Sequence, residues 1–408
     1  MDHGSCRAPR TTRDYPRGTV TASQSGTRPS LSTVNVEECV RAAAERRDPL
    51  RIQGSGHWLD AGRPVRAAHT LALGGLTGVV DYTPGDLTLT ALAGTTLAEI
   101  ARVTAAERQW LALDPFGGTT GTIGATIATG SAGPLAHAFG APRDNVLGLE
   151  VVTGDGRLVR TGGRVVKNVA GFDLTRLFTG SWGTLAVITE VTVRLRSLPE
   201  VEESWALPAN EDTEVLDALL ARLRFAPLEP AALELLSPSL AAHLGISTEG
   251  HSALLFRLGG NPESVRSQRE FLAQLGDPIA PPSDVWRALG ECEPAGAAVA
   301  RFSGLVSRMA EIWTAARSAA GDDGGAFVHA SVGRGIARCI IPASDAAALA
   351  HLLPAAASFD GTVIFERLDE SAWAQVASPV AADRLSRSIK RGFDPMNVLN
   401  PGILGADT

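Results

Sequence analysis

The sequence predicts an α+β protein with two units and a helical C-terminal segment. Up to Ser197-Leu198-Pro199, glycine-rich turns alternate with short strand-like segments. Glycine then becomes rarer, and strand-like and helix-like segments alternate from residue 201 to about 345, which is typical of an α+β unit. Pro379–Arg391 has a helical pattern. We expect a disordered basic tail at 1–30, a glycine-rich domain at 31–199, an α+β domain at 200–360, and a segment at 361–408 that packs back on the first domain.

Composition argues against several classes of protein. Of the 408 residues, 44% are hydrophobic and 20% are charged, as in ordinary globular proteins. A net charge of −7 gives no electrostatic reason to bind nucleic acid or an anionic membrane surface. The cysteines form no CxxC pair, so we expect no metal site and no iron–sulfur cluster held by this chain alone. Their wide spacing also fits a reducing cytoplasm; they are Cys6, Cys39, Cys292 and Cys339.

The N-terminus and the apolar runs show no membrane signal. The first thirty residues carry five arginines among Ser, Thr, Gly and Pro, and no apolar region of a secretory signal follows. They read as a disordered basic tail or as the product of a misassigned start codon. The longest weakly polar run, Ala346–Ala357, is broken by Pro354 and is too short to span a bilayer. We therefore expect no transmembrane segment.

Short elements follow one another in the first unit. Helical spacing of apolar residues predicts a helix from Thr33 to near Asp48-Pro49, and Leu50–Ile52 predicts a strand that enters the turn Gly54–His57. Thr95 or Thr96 is placed to cap a helix over Leu97–Glu107. Turn residues and alternation predict further strands at Thr70–Leu73, Gly78–Tyr82, Leu87–Leu92 and Val191–Leu195, and a hairpin-like pair at Leu147–Val152 and Arg157–Arg160. In the second unit, Ser252–Leu258 and Pro262–Leu275 form the clearest strand-then-helix pair.

Three glycine-rich segments are the strongest sign of a ligand site. They cover residues 53–57, 117–133 and 180–189 and are interleaved with short strands. Glycine permits positive φ and close approach of the backbone, and successive N–H groups bind anions, so a diphosphate is the expected ligand. The usual nucleotide motifs are not met, because Gly54-Ser55-Gly56 lacks the third glycine of GxGxxG and no Gly-Lys-Ser/Thr of a P-loop follows.

These segments resemble the FAD-binding module of the vanillyl-alcohol oxidase/PCMH-type flavoproteins. The resemblance rests on Arg51-Ile-Gln-Gly-Ser-Gly-His57, Thr122-Ile-Gly-Ala125, Arg143-Asp-Asn-Val-Leu-Gly148 and Gly180-Ser-Trp-Gly-Thr-Leu-Ala-Val-Ile-Thr189. Gly162–Leu177 and the C-terminal Asp394-Pro…Leu-Asn-Pro-Gly402 resemble the E-type flavin subunit of bacterial glycolate oxidase. The resemblance is strong over Val34–Pro199, moderate in the tail and weak between. It implies a two-subdomain PCMH-type module with FAD as cofactor, an α+β cap or substrate domain, and a C-terminal helical tail.

The resemblance also implies cofactor contacts residue by residue. Four residues, Gly54, Ser55, Gly56 and His57, would lie along the FAD diphosphate. A second wall and the flavin side would involve Gly118, Thr122, Ile123, Gly124 and Gly133. The segment that carries Gly183, Val187 and Ile188 would meet the adenine or ribityl part, the last two residues through backbone groups. Arg143 and Asp144 would either order the loop between these walls or form a local ion pair.

Two interpretations of His57 follow from the resemblance. In some members of the superfamily a histidine in this place binds the flavin covalently, whereas in the E-type subunits the position is usually small or polar. We favour a hydrogen-bonding or packing histidine. The neighbouring Trp58 is interpreted as a lid or core aromatic.

Oxidation of a 2-hydroxy acid requires a cation for the carboxylate and a base for the hydroxyl proton. Phe327–Gly335 resembles the His-Ala-Gly-x-Gly element of related dehydrogenases, so His329 is the candidate base, unless it only packs on an alternating strand. Arg334 or Arg338 is the candidate for the carboxylate. Lys167 is a further candidate on the flavin or substrate side, because lysine occurs only twice in the chain.

Departures from the family pattern leave the role of the chain open. Trp182 replaces a frequent acidic residue and Phe172 a frequent tyrosine, and the histidine cluster of the D-type subunit is not seen. The resemblance implies a FAD-dependent oxidoreductase subunit that oxidises a small 2-hydroxy acid such as glycolate and passes electrons to a partner, plausibly an iron–sulfur subunit beside a second flavoprotein subunit. The alternatives are a noncatalytic FAD-binding assembly or electron-relay subunit, and a stand-alone oxidase that uses O₂. A cytoplasmic location, with contact to a membrane only through such a complex, is expected.

Overall fold

The computed structural model describes residues 32–163, 172–321, 325–342, 346–376 and 383–405. Lys167 and the expected tail at 1–30 lie outside the described residues. We call residues 32–199 the first unit and residues 200–376 the second unit. No helix among the described residues is long and apolar enough to cross a membrane.

The first unit combines small sheets with short helices. Its helices are α1 (Thr33–Arg46), α2 (Leu97–Thr104), α3 (Ile123–Thr129), α4 (Ala136–Phe139), α5 (Pro142–Asn145) and α6 (Leu174–Phe178). Its strands are β1 (Leu50–Gln53), β2 (His69–Ala72), β3 (Val79–Thr83), β4 (Thr88–Leu92), β5 (Gln109–Trp110), β6 (Val146–Thr153), β7 (Leu158–Gly162), β8 (Ala186–Arg194) and β9 (Arg196–Ser197).

An antiparallel five-stranded sheet forms the centre of the first unit. Its strand order is β3-β4-β8-β6-β7, while β1 and β2 form a separate parallel pair. Residues Val191 and Val193 alternate into the core, as their period of two predicts. The predicted hairpin is confirmed, because β6 and β7 pair in antiparallel register around the turn at 154–156.

Side-chain caps fix where the helices that border the site begin. Thr96 caps α2, since its hydroxyl accepts from the N–H of Glu99, which decides between the two candidates that the sequence offered. Thr122 caps α3 in the same way through the N–H of Ala125. The cap of α3 places Thr122 directly beside Gly54 of the first glycine cluster.

A seven-stranded antiparallel sheet organises the second unit. Its strand order is β10-β12-β11-β14-β15-β13-β16. The strands are β10 (Val201–Ala209), β11 (Ala232–Leu236), β12 (Ser252–Gly260), β13 (Ala298–Ser303), β14 (Phe327–Ser331), β15 (Ile336–Ile341) and β16 (Thr362–Arg367). Because β16 pairs with β13, the sheet extends beyond residue 360, where the sequence had placed the end of this domain.

Helices cover the two faces of this sheet unequally. Those of the second unit are α7 (Thr213–Arg224), α8 (Pro238–His243), α9 (Pro262–Leu272), α10 (Val285–Gly290), α11 (Met309–Ala320) and α12 (Ala346–Ser358). One face carries the larger core, which includes Phe256, Phe302 and Trp313. The other face carries a smaller core around Leu240 and Leu289 and then turns polar where it faces the first unit.

The C-terminal residues 383–405 are bonded to the first unit. In the last helix, α13 (Arg384–Phe393), buried Lys390 donates through Nζ to Asp394 at 2.8 Å and to the Thr184 carbonyl at 2.8 Å. Asn400 accepts from the N–H of Ile52 and donates to the Trp182 carbonyl, each at 2.8 Å. Lys390 is the second of the two lysines, and it has a structural role in this contact.

Candidate active site

Two cavities adjoin at the boundary between the two units. The smaller, of about 90 Å³, is lined by the first unit and the C-terminal segment. The larger, of about 1140 Å³, lies between the first unit and the polar face of the seven-stranded sheet. Trp58, Thr129, Trp182 and Ile403 line both cavities, so one elongated ligand can extend from one into the other.

Glycine residues with bare backbone form part of the wall of the smaller cavity. A Cβ added to Gly54 would lie 2.5 Å from the Thr122 hydroxyl, and one added to Gly124 would lie 2.6 Å from the Ala93 Cβ. Gly56 has a φ of +97°, which side chains rarely adopt. Glycine is therefore required at these positions. A phosphate-bearing cofactor such as FAD fits this cradle because its anionic part can approach the N–H groups closely.

His57 is held through both ring nitrogens. Its Nδ1 lies 2.7 Å from the Ser55 hydroxyl and its Nε2 lies 2.9 Å from the Thr120 hydroxyl. The Arg367 guanidinium lies over Trp58, binds the His57 carbonyl at 3.2 Å and pairs with Asp60 at 2.9 Å. Neither ring nitrogen of His57 is left without a partner, and the loop is tied to β16 of the second unit.

The structure separates the other predicted cofactor residues into two groups. Those that line the smaller cavity are Gly54, Gly56, His57, Thr122, Gly124, Gly183 and Ile188, and Ser55 reaches it through His57. The others do not line it. The side chains of Ile123 and Val187 are buried in hydrophobic cores, Gly118 faces Glu291, Gly133 faces Asp114, and Asp144 accepts from the N–H of Ala141. The contact expected from the Val187 backbone stays a prediction. Arg143 lines the larger cavity, 4.0 Å from Asp144, so only a weak local pair joins the two.

The two departures from the family pattern occupy different places. Phe172 is 94% exposed and lines neither cavity. The replacement of tyrosine by Phe172 therefore removes no hydrogen-bond donor from this site. Trp182 lies at the junction of the cavities, with a φ of +57° and an edge-on contact to Trp58 at 6.0 Å between ring centroids.

Strand register brings the polar residues of the larger cavity together. His329 of β14 lies opposite Arg338 of β15, which lies opposite Arg301 of β13. Ser331 of β14 lies opposite Glu234 of β11. Residues that face one another across neighbouring strands project from the same side of a sheet. One face therefore presents these five side chains toward the first unit.

His329 and Glu234 form a buried pair on this face. His329 Nδ1 lies 2.8 Å from Glu234 Oε2, and the Ser331 hydroxyl donates to Glu234 Oε1. Glu234 is 0% exposed and His329 is 2% exposed. His329 Nε2 is buried without a hydrogen-bond partner in the part of the chain that the structure describes. An unpaired buried imidazole nitrogen marks a place where a ligand can supply the missing partner.

The two candidate arginines differ in their partners. Arg338 is 3% exposed, pairs with Glu293 and Glu366, and lies over the ring of Phe116, 3.8 Å from its centroid. Burial disfavours its charge, but the two carboxylates together raise its pKa above the ordinary value. Arg334, at the turn between β14 and β15, lines the cavity and has no ion pair with any residue of the described ranges. Burial lowers the pKa of Arg334.

Asp114 is a further titratable group behind the site. Its carboxylate accepts from the N–H of Leu135 at 2.9 Å. Burial raises the pKa of Asp114 to about 7, with Glu234 adding repulsion and Arg257 opposing it. His137, whose pKa burial lowers, lies in the same region, against Gly333.

Comparison with known proteins agrees with this geometry. Residues 32–162 match the family model described as the FAD binding domain. The chain is 35% identical over 255 residues to glycolate oxidase subunit GlcE of Escherichia coli (strain K12). The aligned region covers 62% of this chain and 67% of GlcE. The chain belongs to the PCMH-type FAD-binding oxidoreductases. Its cofactor is FAD.

A further relative and a solved structure are also similar to this flavoprotein. Glycolate oxidase subunit GlcD of Bacillus subtilis (strain 168) is 31% identical over 259 residues, which is 61% of this chain and 55% of GlcD. A structure of p-cresol methylhydroxylase with substrate bound superposes with a TM-score of 0.71 at 16% identity, over 92% of this chain and 87% of that one. The latter likeness shows the fold alone.

Sequence reasoning missed several residues of the flavoprotein's larger cavity or of the layer behind it. They are Glu234, Ser331, Arg301, Glu366 and Phe116. One signal was present: Glu234 interrupts the otherwise apolar strand Ala232-Leu233-Glu234-Leu235-Leu236, and a charge in such a strand needs a partner. The partners themselves depend on strand register and could not be deduced.

Proposed function

We propose that this flavoprotein oxidises a small 2-hydroxy acid such as glycolate to the corresponding 2-oxo acid. The observation that carries the proposal is that Arg334 and His329 line one large cavity beside the cofactor cradle. Among the described residues, Arg334 has no ion pair and His329 Nε2 has no hydrogen-bond partner. A carboxylate and a hydroxyl on adjacent carbons require a cation and a base at close range. The relatives GlcE and GlcD, both named as subunits of glycolate oxidase, support the same class of substrate.

FAD is proposed to lie with its diphosphate on residues 54–57 and on the Thr122 end of α3. The N–H groups at a glycine-rich turn and at a helix start favour a negative charge. From there the cofactor would pass Trp58 and Trp182 into the larger cavity, beside the small residues Gly130 and Gly180. When bound, FAD supplies the acceptor for the hydrogen and electron pair of the substrate Cα–H.

Arg334 is proposed to hold the substrate carboxylate. Its guanidinium offers two parallel donors to a carboxylate and is not already committed to one, whereas Arg338 is held by Glu293 and Glu366. Arg301 and Arg143 also line the cavity, while Glu366 is an acidic residue on its wall. The excess of positive charge favours an anionic substrate.

His329 is proposed to remove the hydroxyl proton. A neutral imidazole is the usual base near neutral pH, and its free nitrogen is the one that lacks a partner. Loss of this proton and of the Cα–H converts the alcohol carbon to a carbonyl. We further propose that electrons leave FAD for a partner chain, an iron–sulfur protein within a complex that also contains a second flavoprotein subunit, because the named relatives are themselves subunits.

Anaerobic titration of the purified holoprotein with 2-hydroxy acids tests this function. Glycolate and both enantiomers of lactate are mixed with the protein, and the oxidised flavin absorption band is followed, alone and with candidate partner chains. We expect at least one acid to bleach the flavin. A flavin that no acid reduces unless partners are present indicates the noncatalytic relay role, and rapid reoxidation by O₂ with release of H₂O₂ indicates a stand-alone oxidase. No reduction under any condition would reject the proposal.

A further inference from the structure

We propose that Glu234 is a positioning residue for this chemistry: it fixes the imidazole of His329 with its proton on Nδ1 and its free electron pair on Nε2. The proposal rests on the proposed function in naming His329 as the base. It goes beyond that function by assigning a role to a carboxylate that touches neither cavity. It also predicts a property of the resting protein that can be measured without substrate.

The geometry gives Glu234 two partners that both line the cavity. Oε2 lies 2.8 Å from His329 Nδ1, and Oε1 accepts from the Ser331 hydroxyl. His329 and Ser331 are two residues apart on β14 and therefore point to the same side of the sheet. Glu234, one strand away on β11, lies opposite Ser331 and diagonal to His329. A single carboxylate thus sets the orientation of two cavity-lining groups.

Hydrogen-bond chemistry then fixes the tautomer. An ionised carboxylate only accepts hydrogen bonds, so the imidazole nitrogen that faces it must carry the proton. In the neutral ring the other nitrogen, Nε2, is left as an acceptor. When Nε2 takes the hydroxyl proton of the substrate, the ring becomes a cation, and the adjacent buried carboxylate stabilises it. The proton lost by the hydroxyl is the proton gained by Nε2.

The charged groups around the pair come from several elements. Arg338 of β15 lies directly opposite His329, and Glu366 of β16 also interacts with His329 electrostatically. Asp114, Arg334, and His137 of α4 interact electrostatically with Glu234. Among these groups Glu234 alone is hydrogen-bonded to the imidazole. A carboxylate that is 0% exposed is costly to bury unless it is paired. A pair of apolar residues would fill the same space equally well, so packing alone does not require the Glu234–His329 pair.

The test compares Glu234→Gln with a matched control, Glu150→Gln. Glu150 is also a buried carboxylate on a strand, bound to a side-chain cation, Arg160, and to a hydroxyl, Thr189. It lies in the five-stranded sheet and lines neither cavity. Both variants lose one buried charge, but only Glu234→Gln alters the group that faces the imidazole.

The first readout needs no turnover. In protein labelled with ¹⁵N-histidine, nitrogen chemical shifts at pH 8 report which ring nitrogen of His329 carries the proton, and His329→Asn identifies the signal. We expect a single Nδ1–H form in the wild type and in Glu150→Gln, and a mixture of tautomers in Glu234→Gln. An Nε2–H form or an imidazolium in the wild type, or an unchanged tautomer in Glu234→Gln, would overturn the proposal.

The second readout is kinetic. In Glu234→Gln we expect kcat for flavin reduction to fall about tenfold to a hundredfold, no more than the lower end of what a general base itself contributes, while KM and bound FAD stay near wild type. The acid limb of the kcat/KM profile should move to lower pH, because loss of a negative charge disfavours the protonated ring. Glu150→Gln should change neither. A merely structural role predicts lower thermal stability with an unmoved acid limb, and that result overturns the proposal.

The two readouts separate this proposal from the proposed function. If no 2-hydroxy acid reduces the flavin, the function fails, but the nitrogen shifts still decide whether Glu234 fixes the tautomer. If acids reduce the flavin and the tautomer is not fixed, the function stands and the positioning role fails.

Discussion

The two walls of the large cavity are made in different ways. On the first unit, the wall near Thr129–Ala132 and Gly180 consists of small side chains and backbone. On the second unit, the wall includes charged and polar side chains that project from neighbouring strands of one sheet, together with apolar side chains such as Leu353 and Ile364. The first wall suits a large cofactor that requires close contact and little chemistry from the protein. The second suits a small polar substrate that requires a cation and a base.

This difference predicts that damage to the glycine-rich surface of the first unit, which lines the smaller cavity, removes the cofactor. Gly54→Val should give protein that purifies without flavin, because even a Cβ would lie 2.5 Å from the Thr122 hydroxyl and 3.3 Å from the Ala125 methyl. The flavin-to-protein absorbance ratio measures this. Gly85→Ala is the control, since a Cβ there meets open space and should leave FAD content unchanged.

On the second wall, replacement of Arg338 should mainly lower stability, whereas replacement of Arg334 should mainly lower activity. Arg338→Met leaves Glu293 and Glu366 without their main partner, so we expect a loss of about 3–5 kcal/mol in the free energy of unfolding. Urea denaturation checks this value. A stability within experimental error of the wild type would show that the two carboxylates are satisfied without Arg338.

Arg334→Met should instead lower kcat/KM for the 2-hydroxy acid, by about 10- to 150-fold, the value of one charge-assisted hydrogen bond. Its melting temperature should stay close to that of the wild type, because Arg334 has no ion pair in the described ranges. Steady-state kinetics and thermal unfolding measured on the same preparation test both parts. Arg334→Lys keeps the charge without the planar fork and should recover only part of the activity.

Asp114, behind the junction of the walls, should make stability depend on pH. Its folded pKa, about 7, lies above the ordinary value of 3.8. A raised carboxyl pKa contributes stability that is present below about pH 4 and lost as pH rises through 7. We expect the wild type to lose roughly 2 kcal/mol relative to Asp114→Asn between pH 4 and pH 8, less than the full linkage value because Asp114 is only partly buried. If the difference between the urea midpoints of the wild type and Asp114→Asn stayed constant from pH 4 to pH 8, the raised pKa of Asp114 would be contradicted.

The smallest expected effect concerns His57, which lines the smaller cavity on the first unit. Both of its ring nitrogens have hydroxyl partners, so we expect FAD to be bound without a covalent bond. Acid precipitation should leave all flavin fluorescence in the supernatant, and His57→Ala should weaken FAD binding only modestly. Flavin that remains with the pellet would show a covalent link instead.

The same difference explains what the sequence could predict. Gly54, Gly56 and Gly124 are visible because a local backbone requirement leaves a local mark, and their segments also carry the family resemblance. His329 and Arg334 were accessible through a motif, yet their partners were not. Glu234, Arg301 and Glu366 lie on three other strands, and only the register of the seven-stranded sheet brings them to the site.

Residues that matched the family pattern were not always at the site. Ile123 lies within a predicted cofactor-contact segment, but its side chain is buried in a hydrophobic core. A motif fixes the position of a segment and not the direction of each side chain. The rarity of lysine likewise marked Lys390 as strongly as Lys167, and Lys390 proved to anchor the C-terminal segment.

The division of labour between the walls is tested most directly by rapid anaerobic reduction of His329→Asn. The variant is mixed with the best 2-hydroxy acid in a stopped-flow instrument, and flavin content and the rate of flavin bleaching are compared with those of the wild type. The account predicts full FAD occupancy and a bleaching rate that is lower by about a hundredfold or more. Bleaching at the wild-type rate, or loss of FAD from the variant, would contradict it.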